Sequence, residues 1–172
     1  MRTEQEKTNL QKISDFADKS LLIVDDDNPL RDRLARAMGK KGFHVTQAES
    51  VEKGINQAKN SPPAFAIIDL RLGDGSGLKV VEEIQKYKKN SRVVMLTGYG
   101  NIPTAVEAVK AGAIDYIPKP ADADEVEMLF WHHHNLKLFH QKTQCLLIEL
   151  SGSILIEFLN YVIEMFPKQH EN

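Results

Sequence analysis

Residues 19–130 of this 172-residue chain predict a doubly wound α/β domain, a five-stranded parallel sheet with helices on both faces. Short apolar runs alternate with amphipathic segments from Ser20 onward. The inner runs, "AFAIID" and "RVVML", are apolar at consecutive positions, as burial on both faces of a parallel sheet requires. The composition, 42% hydrophobic and 27% charged, is that of a globular protein.

The elements follow in order. "SLLIV" is the first strand and runs into "DDDNPLRDRLARAMGKKG". There Asn28 is the expected helix cap, Pro29 suits the first turn, and Gly42 follows the end. Leu30, Leu34, Ala37 and Met38 fall on one face of that helix. "FHVTQA" is a shorter strand, and Ser50 caps "VEKGINQAKN". "AFAIID", "RVVML" and "DYIP" are the remaining strands, with helices near 76–88 and 101–112 and a last one from about Asp122. Residues 1–18 are polar and mixed in charge and lack the apolar core of a secretory signal, so they read as a flexible leader.

Composition also excludes some functions. A net charge of −2 gives the whole chain no bulk electrostatic reason to bind nucleic acid. The single cysteine, Cys145, excludes an internal disulfide and suits a reducing cytoplasm.

In doubly wound sheets chemistry collects at the carboxyl ends of the strands. Here the first strand ends in Asp25 and Asp26, the third in Asp69 and the fourth in Thr97, and Lys119 follows the fifth. Each residue taken alone reads as a turn, cap or solvated side chain. Converging on one rim they read differently. Three carboxylates repel unless something positive sits among them, and Mg²⁺ suits oxygen ligands while keeping positions open for water or phosphate. One carboxylate could then attack phosphorus, with Lys119 pairing first with that nucleophile and later with the phosphoryl group, and Thr97 donating to a phosphoryl oxygen. The constellation suits formation of an aspartyl phosphate.

"LLIVDDD", "AIIDLRLGDGSG", "VVMLTGYG" and "AGAIDYIPKP" occur in the order and spacing of two-component response regulators, whose receiver domain this region resembles over about 20–127. The resemblance implies a flavodoxin-like strand order of 2-1-3-4-5. It implies Asp69 as phosphoacceptor, with Asp25, Asp26, Asp69 and the backbone carbonyl of Arg71 around Mg²⁺, and Thr97 and Lys119 in the roles just described. Tyr116 matches the switch aromatic, and a cis bond before Pro120 is common in the family. A sensor histidine kinase is the implied phosphodonor and the receiver surface could form a homodimer; a signalling domain rather than a steady-turnover enzyme is expected. The longer matches "ESVEKGINQAK", "PPAFAIIDLRLGDGSGLKVVE" and "LTGYGNIPTAVEAVKAGAIDYIPKPADADEVE" are similar to the RegA/PrrA/ActR group of regulators, which carry a Fis-type helix-turn-helix after the receiver. Two rivals remain. A haloacid-dehalogenase-like hydrolase also uses Asp, Thr, Lys and Mg²⁺, but it places its nucleophile after the first strand and leaves Asp69 unexplained. An interaction module that never takes phosphate is the other.

Residues 131–172 depart from that pattern and read as an irregular or partly helical tail. From 128 onward there are lysines at 137, 142 and 168, glutamates at 149, 157, 164 and 171, and no arginine, a poor set for a helix entering the major groove. The apolar run from Cys145 to Phe166 is interrupted by glutamates and an asparagine, which argues against a membrane span. It could instead pack as a helix, with Ile148, Leu155, Leu159, Val162 and Phe166 near one face. The histidines at 132–134 are consecutive and would point in different directions from a helix, so they read poorly as a metal site.

Codon degeneracy offers another account. Read with the third base of each codon joined to the first two of the next, "SGSILIEFLNYVIEMFPKQHEN" permits W-E-H-I-N-R-V-F-E-L-C-D-R-N-V-S-E-T-A-R-K-L. The preceding residues permit N-P-M-S-A-D-R-V-K and, just after Met128, A-L-L-A-P. These resemble the missing linker and the opening helices of a Fis-type domain. Loss of one base near codon 129 would make the tail an out-of-frame product and would explain its lack of arginine.

Overall fold

The computed structural model describes residues 16–98 and 102–133. Among them a five-stranded parallel sheet has the order β2-β1-β3-β6-β7. Its strands are β1 (Ser20–Val24), β2 (His44–Ala48), β3 (Phe65–Asp69), β6 (Arg92–Thr97) and β7 (Asp115–Pro118). The intervening helices are α1 (Asn28–Lys40), α2 (Val51–Asn60), α3 (Leu78–Tyr87) and α4 (Ile102–Ala111), and residues 123–133 form α5. Counting only the strands of this sheet, the order is the expected 2-1-3-4-5.

Burial explains the sheet's interior. Every residue of β3 is buried, and so are the last five of β6, because both strands have neighbours on each edge and helices over each face. β2 lies at the edge and buries only Ala48 fully. Side-chain alternation sends Leu21, Ile23, Phe65 and Ile67 to one core, where Leu34, Met38 and Phe130 meet them. Leu22, Val24, Ala66 and Ile68 face the other, with Val80, Val81 and Ile84. Lys41, just past α1, ion-pairs with Asp124 and Glu127 of α5 and ties together two helices over the first core.

Three local features differ from the sequence expectation. Asp27, not Asn28, caps α1: its carboxylate accepts from the Leu30 N–H at 3.0 Å, and Asn28 is already helical. The run of four cap-forming residues, Asp25 to Asn28, contains no local signal to choose among them. Between β3 and α3 the chain forms an antiparallel hairpin, β4 (Arg71–Leu72) with β5 (Gly75–Ser76), absent from the five-strand reading. Phe16, within the stretch read as a loose leader, is buried. Its ring lies 5.0 Å from Phe65 and 4.2 Å from Trp131, and the Arg92 guanidinium sits 4.8 Å from it. Asp18 ion-pairs with Lys88 at 2.6 Å, so residues 16–18 are anchored by both packing and charge, while residues 1–15 lie outside the described residues.

Gly77 is tightly enclosed, since a Cβ there would lie 2.0 Å from the carbonyl oxygen of Asp69 and 2.8 Å from Ile68 Cγ2. Backbone cannot yield as a side chain can, so Gly77→Ala is expected to destabilise by about 3 kcal/mol. Gly39, with nothing within 4 Å of its added Cβ, is the control. There alanine should stabilise α1 by about 0.5–1 kcal/mol. Urea denaturation of both variants checks the pair.

Candidate functional site

The strand register brings the acidic residues to one rim. Val24 is the last residue of β1 and pairs with Ile68, so Asp25 emerges beside Asp69 at the end of β3. Asp69 pairs in turn with Leu96, which places Thr97 at the next strand end, and Thr97 pairs with Pro118. The carbonyl of Thr97 accepts from the Lys119 N–H at 2.7 Å, and the Lys119–Pro120 bond is cis.

Carboxylate oxygens of Asp25, Asp26 and Asp69 lie within 4.8 Å of one another. Asp25 is wholly buried and Asp69 nearly so, while Asp26 is exposed. The Lys119 ammonium bridges the buried pair, 2.7 Å from Asp25 Oδ2 and 2.7 Å from Asp69 Oδ2. Asp25 Oδ1 accepts from the Asp27 N–H at 2.9 Å, whereas Asp25 Oδ2 has the charge of Lys119 beside it but no hydrogen bond aligned with it. A buried carboxylate oxygen without a directed donor, within reach of two other carboxylates, fits a hard cation. Asp69 Oδ1 accepts from the Arg71 N–H at 3.3 Å, which holds the backbone of Arg71 close to the cluster.

Burial pushes the Asp69 carboxyl above its ordinary value; Lys119 opposes that shift and the neighbouring Asp25 charge adds to it. Burial works against the Lys119 ammonium too, but its close pairing with Asp25 and Asp69 outweighs this and holds it above its ordinary value. Both directions follow from one arrangement, in which two carboxylates share a single ammonium.

The structure also supplies contacts that sequence reasoning missed. Arg31 donates from Nη1 to the Asp25 carbonyl at 2.6 Å, from Nη2 to Asn28 Oδ1 at 2.6 Å and from Nε to Gln47 Oε1 at 3.2 Å, pinning α1 to the ends of β1 and β2. Asp74, at the tip of the β4–β5 hairpin, accepts from two amides at the start of α2. Its setting between two glycines signals a turn, and nothing local points to a partner so far back in the chain. Tyr116 is half-buried, and its hydroxyl lies 3.3 Å from Thr104 Oγ1 on α4.

A parallel α/β sheet with this acidic rim and lysine is the architecture of a two-component signalling receiver. The response regulator receiver domain family matches residues 21–129, and the chain belongs to it. The chain is 62% identical over 109 residues to the acid tolerance regulatory protein ActR of Sinorhizobium medicae, a match covering 63% of this chain and 56% of that one. It is 57% identical over 110 residues to the photosynthetic apparatus regulatory protein RegA of Cereibacter sphaeroides, covering 64% and 60%. The chain thus spans well under two thirds of the length of these relatives. Among solved structures, a response regulator from Burkholderia pseudomallei with a phosphorylated aspartic acid, calcium ion and citrate superposes with a TM-score of 0.65. It shares 30% identity, over 86% of this chain and 85% of that one.

A carboxyl whose folded-state pKa lies above its unfolded value binds more protons when folded, so stability falls as pH rises through that interval. Asp69→Asn is therefore expected to melt above the wild type in metal-free buffer at neutral pH, with the difference closing as pH falls below the ordinary carboxylate range. Calorimetry between acid and neutral pH checks both sign and window; a variant less stable than wild type at neutral pH would contradict the assignment.

Proposed function

We propose that this receiver accepts a phosphoryl group from the phosphohistidine of a sensor histidine kinase onto Asp69, with Mg²⁺ held by Asp25, Asp26, Asp69 and the Arg71 carbonyl. The observation that carries the reading is the position of the Asp69 carboxylate, beside a lysine and two further carboxylates at the end of a buried strand. An Asp69 oxygen attacks phosphorus; as the new O–P bond forms, the donor's N–P bond breaks, and the ring, already protonated on its other nitrogen, leaves as neutral imidazole. Bound among the carboxylates, Mg²⁺ would neutralise charge on the transferring oxygens. Lys119 passes from the carboxylate to the phosphoryl group, and Thr97 donates a hydrogen bond to it. Slow hydrolysis resets the domain.

Signalling follows from a two-state surface. Tyr116 turns inward as Thr97 moves to the phosphoryl group, and the surface of α4, β7 and α5 changes with it. Val106 and Val109 on α4 and Met128 on α5 are exposed large apolar side chains, which supports this surface as the place where two receivers meet. Among the described residues no helix is long and apolar enough to cross a membrane. A cytoplasmic setting is proposed from the resemblance.

The output of this chain is proposed to be missing from its reading frame. Residues 134–172 lie outside the described residues, and with them the packing-helix reading of the run up to Phe166. Support comes from the matches to ActR and RegA, which extend over only 109 and 110 residues although those relatives are longer. Phe130 is buried in the core just past the inferred frame break, and the shifted frame permits leucine there, so either frame can complete α5. DNA binding is then not expected of residues 134–172. The gene's nucleotide sequence around codons 125–175 decides it: codons that cannot yield the shifted peptide remove the proposal.

Incubation with acetyl phosphate and Mg²⁺ should label the wild type once per chain, as read by intact-protein mass spectrometry. Asp69→Asn should lose the label, and Lys119→Ala should slow labelling by about a hundredfold. Continuous release of phosphate from simple monoesters would favour a hydrolase instead, and unchanged labelling in Asp69→Asn would remove Asp69 as acceptor.

A further inference from the structure

The β4–β5 hairpin is held at both ends. At its base the Gly77 N–H donates to the Leu70 carbonyl at 2.9 Å, and Arg71 and Leu72 pair with Ser76 and Gly75. At its tip Asp74 Oδ1 accepts from the Val51 N–H at 2.8 Å and Oδ2 from the Glu52 N–H at 3.1 Å. These are the first two amides of α2, which have no carbonyl partner inside the helix. Ser50 Oγ takes the third, from Lys53, at 3.2 Å. The α2 N-terminus is thus shared between its own cap residue and a residue of the loop that follows the phosphoacceptor strand. The two amide hydrogen bonds hold the Asp74 carboxyl below its ordinary value, in keeping with a charged cap.

The hairpin also borders the acidic rim. Arg71 at its base donates to Asp69, and a Cβ on Gly73 at its tip would lie 3.6 Å from Asp26 Oδ2. A ribbon of two residue pairs is marginal by itself, so its geometry must be supplied by its anchors. A loop that has to order when ligand binds subtracts that cost from the affinity.

We propose that Asp74 is a positioning residue for the cation: by fastening the hairpin tip to α2, it holds the Arg71 backbone against Asp69 and keeps Gly73 beside Asp26. The proposal rests on the reading of the acidic rim as a Mg²⁺ site. Asp74 touches neither the cation nor the phosphoryl group; it acts through the backbone it fixes.

Calorimetric titration of the full chain with MgCl₂ at fixed ionic strength tests this, alongside melting curves in metal-free buffer. Asp74→Ala should raise the Mg²⁺ Kd at least threefold. Ser50→Ala, which removes a cap from the same helix end without freeing the hairpin, should leave Kd within twofold while lowering Tm. Asp74→Asn, which keeps an acceptor toward Val51 but loses the charge, should also stay within twofold. If Asp74→Ala does not fold, Asp74→Ser, whose hydroxyl ends one bond short of the oxygens that reach the Val51 and Glu52 amides, carries the same prediction. An unchanged Kd in Asp74→Ala, an equal rise in Ser50→Ala, or an equal rise in Asp74→Asn would overturn the proposal, the last by pointing to charge alone. A wild type that takes up no Mg²⁺ would overturn the metal reading itself, a separate failure.

Discussion

The site depends on one ammonium group held among three carboxylates. Lys119 lies 2.7 Å from both Asp25 and Asp69, with Asp26 completing the acidic cluster at the rim. Removing Asp25 and Asp69 from water costs free energy that a single shared cation only partly offsets. That residual imbalance raises the Asp69 carboxyl and gives the cluster a standing preference for another positive charge. A hard divalent ion, which prefers oxygen ligands, is the simplest species that would supply it.

The fold imposes this arrangement at some distance from the residues themselves. Parallel pairing brings the carboxyl ends of β1, β3, β6 and β7 to the same side, so residues far apart in sequence share a rim without any long loop. The buried strands are stiff, and the adjustable parts lie beyond them. The β4–β5 hairpin leans on α2 through Asp74, Arg31 ties α1 to the end of β1, and Tyr116 meets Thr104 on α4. Change at Asp69 therefore has defined neighbours through which to act, and none of them is the sheet itself.

Most of the frame was readable because burial on two faces writes a plain pattern. β3 and β6 are continuous apolar runs, and Asp69 and Thr97 stand where those runs end. The edge strand β2 was legible from its place between two helices more than from its own alternation, since only Ala48 is fully buried. What escaped was set by partners distant in the chain. Phe16 looks like a stray aromatic in a polar segment until Phe65 and Trp131 are brought to it. The hairpin's paired segments are two residues each, too short for any period to show. Asp25 and Asp26 are adjacent and chemically identical, yet one is buried and the other exposed, a distinction that only the register of β1 against its neighbours creates.

The central claim is that this acidic rim is a cation site built around Asp69. Crystals soaked in Mn²⁺, as a scattering stand-in for Mg²⁺, test it most directly through an anomalous difference map. One strong peak is expected at bonding distance, about 2.0–2.3 Å, from oxygens of Asp25, Asp26, Asp69 and the Arg71 carbonyl. A map empty there, with Lys119 still bridging Asp25 and Asp69, would contradict it.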